Sequence, residues 1–139
     1  ATNSQMVNLI GKRVVVPGSE FSLEQDKSVE LRFDMKGEIS ASEIIITDEN
    51  GAVVRTADLD DLKNGMNKFD FDGKDDAGNS LDSGTYFYAL KTKDGEMMQD
   101  VTQYGNYLVD SVKFDGSAIL LKSDDFTIDL GDITEVVGN

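Results

Sequence analysis

Residues 29–36 alternate without a break. Val29, Leu31, Phe33 and Met35 fall on one face, and Glu30, Arg32, Asp34 and Lys36 on the other. A period of two is that of a strand with one face on a core and one in water. Residues 43–47, Glu43-Ile44-Ile45-Ile46-Thr47, are apolar on both faces and predict a central strand. Residues 52–56 and 66–71 add two more, and Thr85-Tyr86-Phe87-Tyr88-Ala89-Leu90 reads as a strand with aromatic cross-strand partners. Upstream, the β-branched run at 12–16 stops at Pro17-Gly18, and Phe21-Ser22-Leu23 is expected to pair back against it. Helical periodicity is nearly absent: 58–63 is one turn at best and reads as a loop.

Turn dipeptides separate these runs. Asn50-Gly51 predicts a type I′ hairpin between 43–48 and 52–56, because both central residues of that turn need positive φ. Asp94-Gly95 ends the strand at 85–93. Gly105-Asn106 ends the next, 97–104, with Tyr104 and Tyr107 as an aromatic pair closing the hairpin. Beyond it come short segments at 107–114, 118–121, 126–128 and 133–137 joined by tight turns. Such a series suits a small, strongly bent barrel better than a sandwich. The longest turn-like stretch starts at Phe71-Asp72-Gly73-Lys74-Asp75-Asp76-Ala77-Gly78 and leads through Gly84 into Tyr86. Gly73, Gly78 and Gly84 mark places for positive φ or for the absence of a side chain, and Asp72 and Asp75 are suited to bonding their own backbone and stiffening the loop. Tyr86 is expected to be buried on the sandwich side.

With 139 residues, the chain has room for one ordinary domain or two small ones. Its 13 basic and 27 acidic residues give a formal charge of -14. That balance disfavours nucleic acid and anionic membrane surfaces as partners. The absence of Cys excludes disulfides and thiolate chemistry, and the absence of His removes the usual general base and a common metal ligand. Residues 1–5 show neither a charged nor an apolar signal region and read as the middle of a longer protein. Asp70, Asp72, Asp75 and Asp76 invite a calcium reading. Counted from Asp70, however, Lys74, Asp75 and Leu81 fall where a calcium loop needs an acid, a glycine and a glutamate. No metal site, cofactor site or catalytic residue is therefore expected. Gly11-Lys12 lacks the upstream glycines of a phosphate loop, and no Gly-x-Ser-x-Gly elbow is present.

Three segments together resemble the carboxy-terminal region of the bacterial flagellar hook-capping proteins, also called hook assembly scaffolds or basal-body rod modification proteins. Asn8-Leu9-Ile10-Gly11-Lys12-Arg13-Val14 is similar to the family's Leu-[Ile/Val]-Gly-Lys-x-Val opening. Residues 47–55, with Asn50 and Gly51, and the loop at 71–88 resemble a pattern that begins Trp-Asp-Gly-x-Asp-x-x-Gly and ends Gly-x-Tyr. Phe71 here replaces Trp, which shrinks a core anchor. Tyr104-Gly105-Asn106 through Val112 resembles the segment that ends in a Val-x-Ser-Val strand.

The resemblance implies an immunoglobulin/fibronectin III-like sandwich, residues 27–96, inserted into a small Tudor-like barrel built from 7–26 and 97–139. It marks Gly11, Asn50, Gly51, Asp72, Gly73, Asp75, Gly78, Gly84, Tyr86 and Gly105 as structural motif positions. It implies a non-enzymatic scaffold at the distal end of the growing hook, exported by the flagellar apparatus without a cleaved signal. Its partners would be the hook protein and further copies of the cap protein; the family's flexible amino-terminal part is missing from this chain. An immunoglobulin-like adhesion or secretion module without a flagellar role is the competing expectation.

Overall fold

The structure, a computed structural model, describes residues 6–37, 41–98 and 100–138. The expected signal-free start at 1–5, and Gln99 within the expected strand 97–104, lie outside them. Strands β1 (Arg13–Pro17), β2 (Glu20–Leu23), β3 (Val29–Met35), β4 (Ala41–Thr47), β5 (Val53–Asp58), β6 (Gly65–Phe71) and β7 (Gly84–Thr92) are followed by β8 (Val101–Leu108), β9 (Ser111–Asp115), β10 (Ala118–Ser123), β11 (Phe126–Ile128) and β12 (Glu135–Val137). Of the expected loop at 58–63, Asp58 ends β5 and residues 59–63 form a loop, and one 3-10 turn spans Leu130–Asp132.

The alternation in β3 works as a strand pattern should. Val29, Leu31, Phe33 and Met35 are buried, and the polar residues between them are half-exposed. β3 pairs antiparallel with β6, from Val29 opposite Phe71 to Met35 opposite Gly65. β4 lies between β5 and β7, with Ile44, Ile45 and Ile46 all buried, as a two-faced apolar run requires. The inner residues of β3 pack face to face against Ile44, Ile46, Tyr86, Tyr88 and Leu90 of β4 and β7. Phe21 of β2 stands among the rings of this core: 6.0 Å from Phe71 edge-on, 6.2 Å from Tyr86 and 6.3 Å from Tyr88. β2 pairs with β7 rather than back against β1, because its Phe21 and Leu23 belong to this core.

No barrel closes. One sheet runs β12-β1-β8-β2-β7-β4-β5, with β3 and β6 branching from β8, and β9, β10 and β11 form a separate three-stranded sheet. The expected Tudor-like barrel is therefore replaced by two open, mostly antiparallel sheets. The reason lies in how the tail is used. β1 does take partners near the chain's end, pairing with β12 as well as β8. Among the described residues, the short strands β9–β11 instead pair as strands only with one another. They meet the large sheet through side chains: Leu121 and Ile128 pack on Met6, Val14, Val16, Tyr107 and Val109. This is a sheet lying on a sheet, with its own small core beside that of the sandwich.

Two expected turns also differ. Gly51 has a φ of 83° but Asn50 is not in the positive-φ region, so the turn is not type I′. Instead the Gly51 amide donates to the Asp48 carbonyl at 3.1 Å, and the Asp48 carboxylate accepts from the amides of Asn50 and Ala52. Asp48 organises a wider loop that needs one left-handed residue, not two. Gly105-Asn106 is not a turn at all; both residues lie inside β8. Residues 101–104 of β8 pair with β3, and residues 104–108 with β1. Glycine is required there by proximity, since a Cβ on Gly105 would run into the backbone carbonyl of Glu20. Tyr104 and Tyr107 therefore do not close a hairpin. Tyr107 stacks on Phe126, centroids 4.5 Å apart.

The Tyr88 hydroxyl lies within hydrogen-bond range of the Arg32 carbonyl at 2.8 Å and the Tyr104 carbonyl at 2.9 Å, and accepts from the Tyr104 amide. Burial pushes its pKa above the usual tyrosine value, and burial with the Glu20 carboxylate does the same for Tyr107.

Gly105→Ala should cost about 1–3 kcal/mol or more, the range for forced overpacking. Gly84→Ala should be neutral or stabilise by up to about 1 kcal/mol, because Gly84 is not left-handed and a Cβ there meets open space. Urea unfolding of both variants checks the contrast. A second prediction concerns alkali. The folded state holds the Tyr88 and Tyr107 protons to higher pH than the unfolded chain, whose tyrosines titrate near 10.0. The unfolded state then binds fewer protons, so stability is full below pH 10.0 and falls as the pH rises past it. Urea midpoints measured from neutral pH into alkali should fall, and Tyr88→Phe should flatten the slope.

Candidate functional site

The loop between β6 and β7 is built from its own carboxylates. Asp72 Oδ1 accepts from the Lys74 amide at 3.0 Å, and Asp75 Oδ1 accepts from the amides of Ala77 at 3.0 Å and Asn79 at 2.9 Å. Backbone bonds Asp75 N–H to Asn79 O and Leu81 N–H to Gly73 O close the loop on itself. Gly73 and Gly78 are left-handed, with φ of 77° and 87°. Gly73 is also buried against the chain: a Cβ would sit 2.8 Å from the Lys27 carbonyl. Gly84, the expected corner into the strand, is the first residue of β7 and is not left-handed. Tyr86 is buried, and its hydroxyl donates to the Asp82 carbonyl at 2.7 Å, tying the loop's exit to the core. Ser80 donates to Asp26 at 2.7 Å and so fastens the loop to the turn before β3.

The loop also reaches the outer side of β5. The Asp76 amide donates to the Val54 carbonyl at 3.0 Å, and Asp76 Oδ1 accepts from the Thr56 amide at 3.0 Å. Arg55 Nη1 donates to Asp72 Oδ1 and to the Lys74 carbonyl, both at 3.1 Å. Among the described residues, no group of three or more acidic side chains is placed to hold a metal ion. The carboxylates of Asp72, Asp75 and Asp76 are engaged with amides and a guanidinium, which is the chemistry of a brace.

A second constellation, which the sequence pattern did not reveal, sits where β1, β2, β3 and β8 meet. Arg13 is buried, and its Nη1 donates to the Ser22 carbonyl and to Asn106 Oδ1, each at 3.0 Å. Asn106 Nδ2 donates onward to the Glu30 carbonyl at 3.1 Å. Ser22 Oγ accepts from the Leu108 amide at 2.8 Å. Glu24 lies 3.9 Å from Arg13 Nη2. Burial pulls the Arg13 pKa down, and the Glu24 charge works against that. Arg32 joins β3 to the chain's end through Glu135 of β12, while also binding Glu30 at 2.8 Å. The available signal was positional: Arg13 directly precedes three consecutive valines, Val14, Val15 and Val16, in a run that the structure buries. Of the motif residues, Gly11 donates to the Val109 carbonyl at 2.8 Å beside this junction, and Gly105 lies within it. Asn50 and Gly51 stand apart at the tip of the β4–β5 hairpin.

The sandwich and its loop match a known domain family. Residues 18–96 correspond to the FlgD Ig-like domain. The basal-body rod modification protein FlgD of Escherichia coli is 34% identical over 98 residues, covering 66% of this chain and 42% of that protein. Its counterpart in Buchnera aphidicola from Acyrthosiphon pisum is 27% identical over 134 residues, covering 96% of this chain and 54% of that protein. The chain thus spans about half the length of the curated relatives it matches. The crystal structure of FlgD from P. aeruginosa superposes with a TM-score of 0.71 at 25% identity, covering 90% of this chain and 96% of that one. With that domain match covering more than half of this chain and the fold shared, this chain belongs to the FlgD family of basal-body rod modification, or hook-capping, proteins.

Proposed function

We propose that the chain is the folded platform of a flagellar hook cap, a non-catalytic scaffold that promotes ordered addition of hook subunits at the distal end of the growing hook. The observation that carries this reading is the match of residues 18–96 to the FlgD Ig-like domain. Its partners in this reading are the hook protein and further copies of the cap protein, and its place is the flagellum, outside the cell. The sandwich of 27–96 stands as an insert between the segments 7–26 and 97–139.

The physical character of the chain supports such a role. A cap must release and remake its contacts as each subunit enters. Contacts of that kind are small and polar, whereas permanent interfaces are large and apolar. A formal charge of -14 keeps a β-rich surface from sticking indiscriminately. The braced loop and the buried junction supply rigidity without large exposed apolar surface of their own.

The test is genetic. A full-length protein containing this chain, expressed in a bacterium that lacks its hook cap, should restore hooks visible by electron microscopy. The Gly105→Asp form should fail to do so while still being exported. If the intact protein is exported and hook protein escapes unassembled into the medium, the cap reading is wrong.

A further inference from the structure

We propose that Asp76 guards the outer edge of β5, holding it against strand addition by a second copy of this chain. Among the described residues, β5 has one strand neighbour, β4. Its outer edge presents the Val54 carbonyl and the Thr56 amide, and these are the two groups that Asp76 engages. The geometry imitates a parallel strand pair opposite Arg55. One residue gives its amide to the carbonyl before Arg55 and takes the amide after it. The Asp76 carboxylate stands where a partner strand would offer a peptide carbonyl. The two bonds from Arg55 Nη1 to Asp72 and Lys74 clamp the loop over that edge.

What is being guarded is a pairing hazard. The strand reads Val53-Val54-Arg55-Thr56-Ala57-Asp58, without Pro or Lys, and Val53 is 58% exposed. An open edge of this kind is a template for another strand. The occupant is a second copy because the edge is self-complementary. An antiparallel pair about a two-fold axis at Thr56 uses the outward groups of Val54, Thr56 and Asp58. It sets Val54 opposite Asp58 and Arg55 opposite Ala57, so no like charges face each other. The other strands with a single neighbour in the large sheet are less inviting. β12 is three residues long, and β6 carries the exposed charges of Lys68 and Asp70.

The proposal does not depend on the hook-cap reading. It is measured on the isolated chain, whereas that reading is measured by hook growth. Amide exchange of the folded chain should show Thr56 protected although it lies at a sheet edge. Asp76→Ala should speed its exchange about tenfold, and Asp76→Asn, which keeps the acceptor but not the charge, should leave it slow. Sedimentation should show Asp76→Ala with a larger mean mass than the native chain and Asp76→Asn at equal concentration. Adding Val53→Lys to Asp76→Ala should return it to the native value. Rapid exchange of Thr56 in the native chain overturns the guard. So does an Asp76→Ala chain that associates no more than Asp76→Asn, or association that persists unchanged with Val53→Lys.

Discussion

The fold depends on a close approach of two backbones, where β8 passes Glu20 with no room for a side chain. Gly105 permits it. Because the approach is so close, Asn106 can bridge from the Arg13 guanidinium to the Glu30 carbonyl, and β8 can serve β3 with one half and β1 with the other. The arginine buried at this crossing is costly to desolvate, and it is tolerable only because Ser22, Asn106 and Glu24 surround it. Such a group adds little net stability over an apolar substitute. It discriminates instead: a strand shifted by one residue would leave the guanidinium facing apolar side chains.

The sandwich was legible because its signal is local. Val29, Leu31, Phe33 and Met35 state their own direction, and three consecutive β-branched isoleucines between turn signals suit a strand covered on both faces, where all three are buried. Turn chemistry was less legible. Asn50-Gly51 suggested a two-residue hairpin, but Asp48 upstream captures two amides and enlarges the loop. The serious misreading was Gly105-Asn106. A glycine needed for left-handed backbone and a glycine needed for close approach look identical in one dimension. Only the position of Glu20, some 85 residues earlier in the chain, tells them apart. The barrel expectation failed for a related reason. Short strands and tight turns are shared by closed and open sheets, and closure requires pairing that runs unbroken through every strand of the set. β12 does reach β1, but among the described residues β9, β10 and β11 pair with one another and with no strand of the large sheet.

The acidity of the chain acquires a second meaning from the β6–β7 loop. Composition alone let negative charge speak only against nucleic acid and anionic membrane surfaces as partners. Several of these carboxylates are structural acceptors that replace peptide carbonyls in a segment too irregular to satisfy its own amides. Asp recurs here because its short side chain reaches an amide two residues on, which Glu does with more entropy to lose. A loop with almost no core of its own is thereby made rigid at the surface.

The pairing of Arg13 with Asn106 joins residues 93 positions apart, and β1 is flanked on its other side by β12, at the far end of the chain. The strand that opens the fold thus has neither neighbour until most of the polypeptide is available. The hairpin of β4 and β5 faces no such delay. High contact order of this kind slows folding, since the closure entropy of a long loop is spent before its contacts form. A chain released gradually with its amino end first would hold a formed hairpin beside an unsatisfied first strand. The interval before β8 and β12 arrive is the period in which Val14, Val15 and Val16 stand most exposed to the wrong partner.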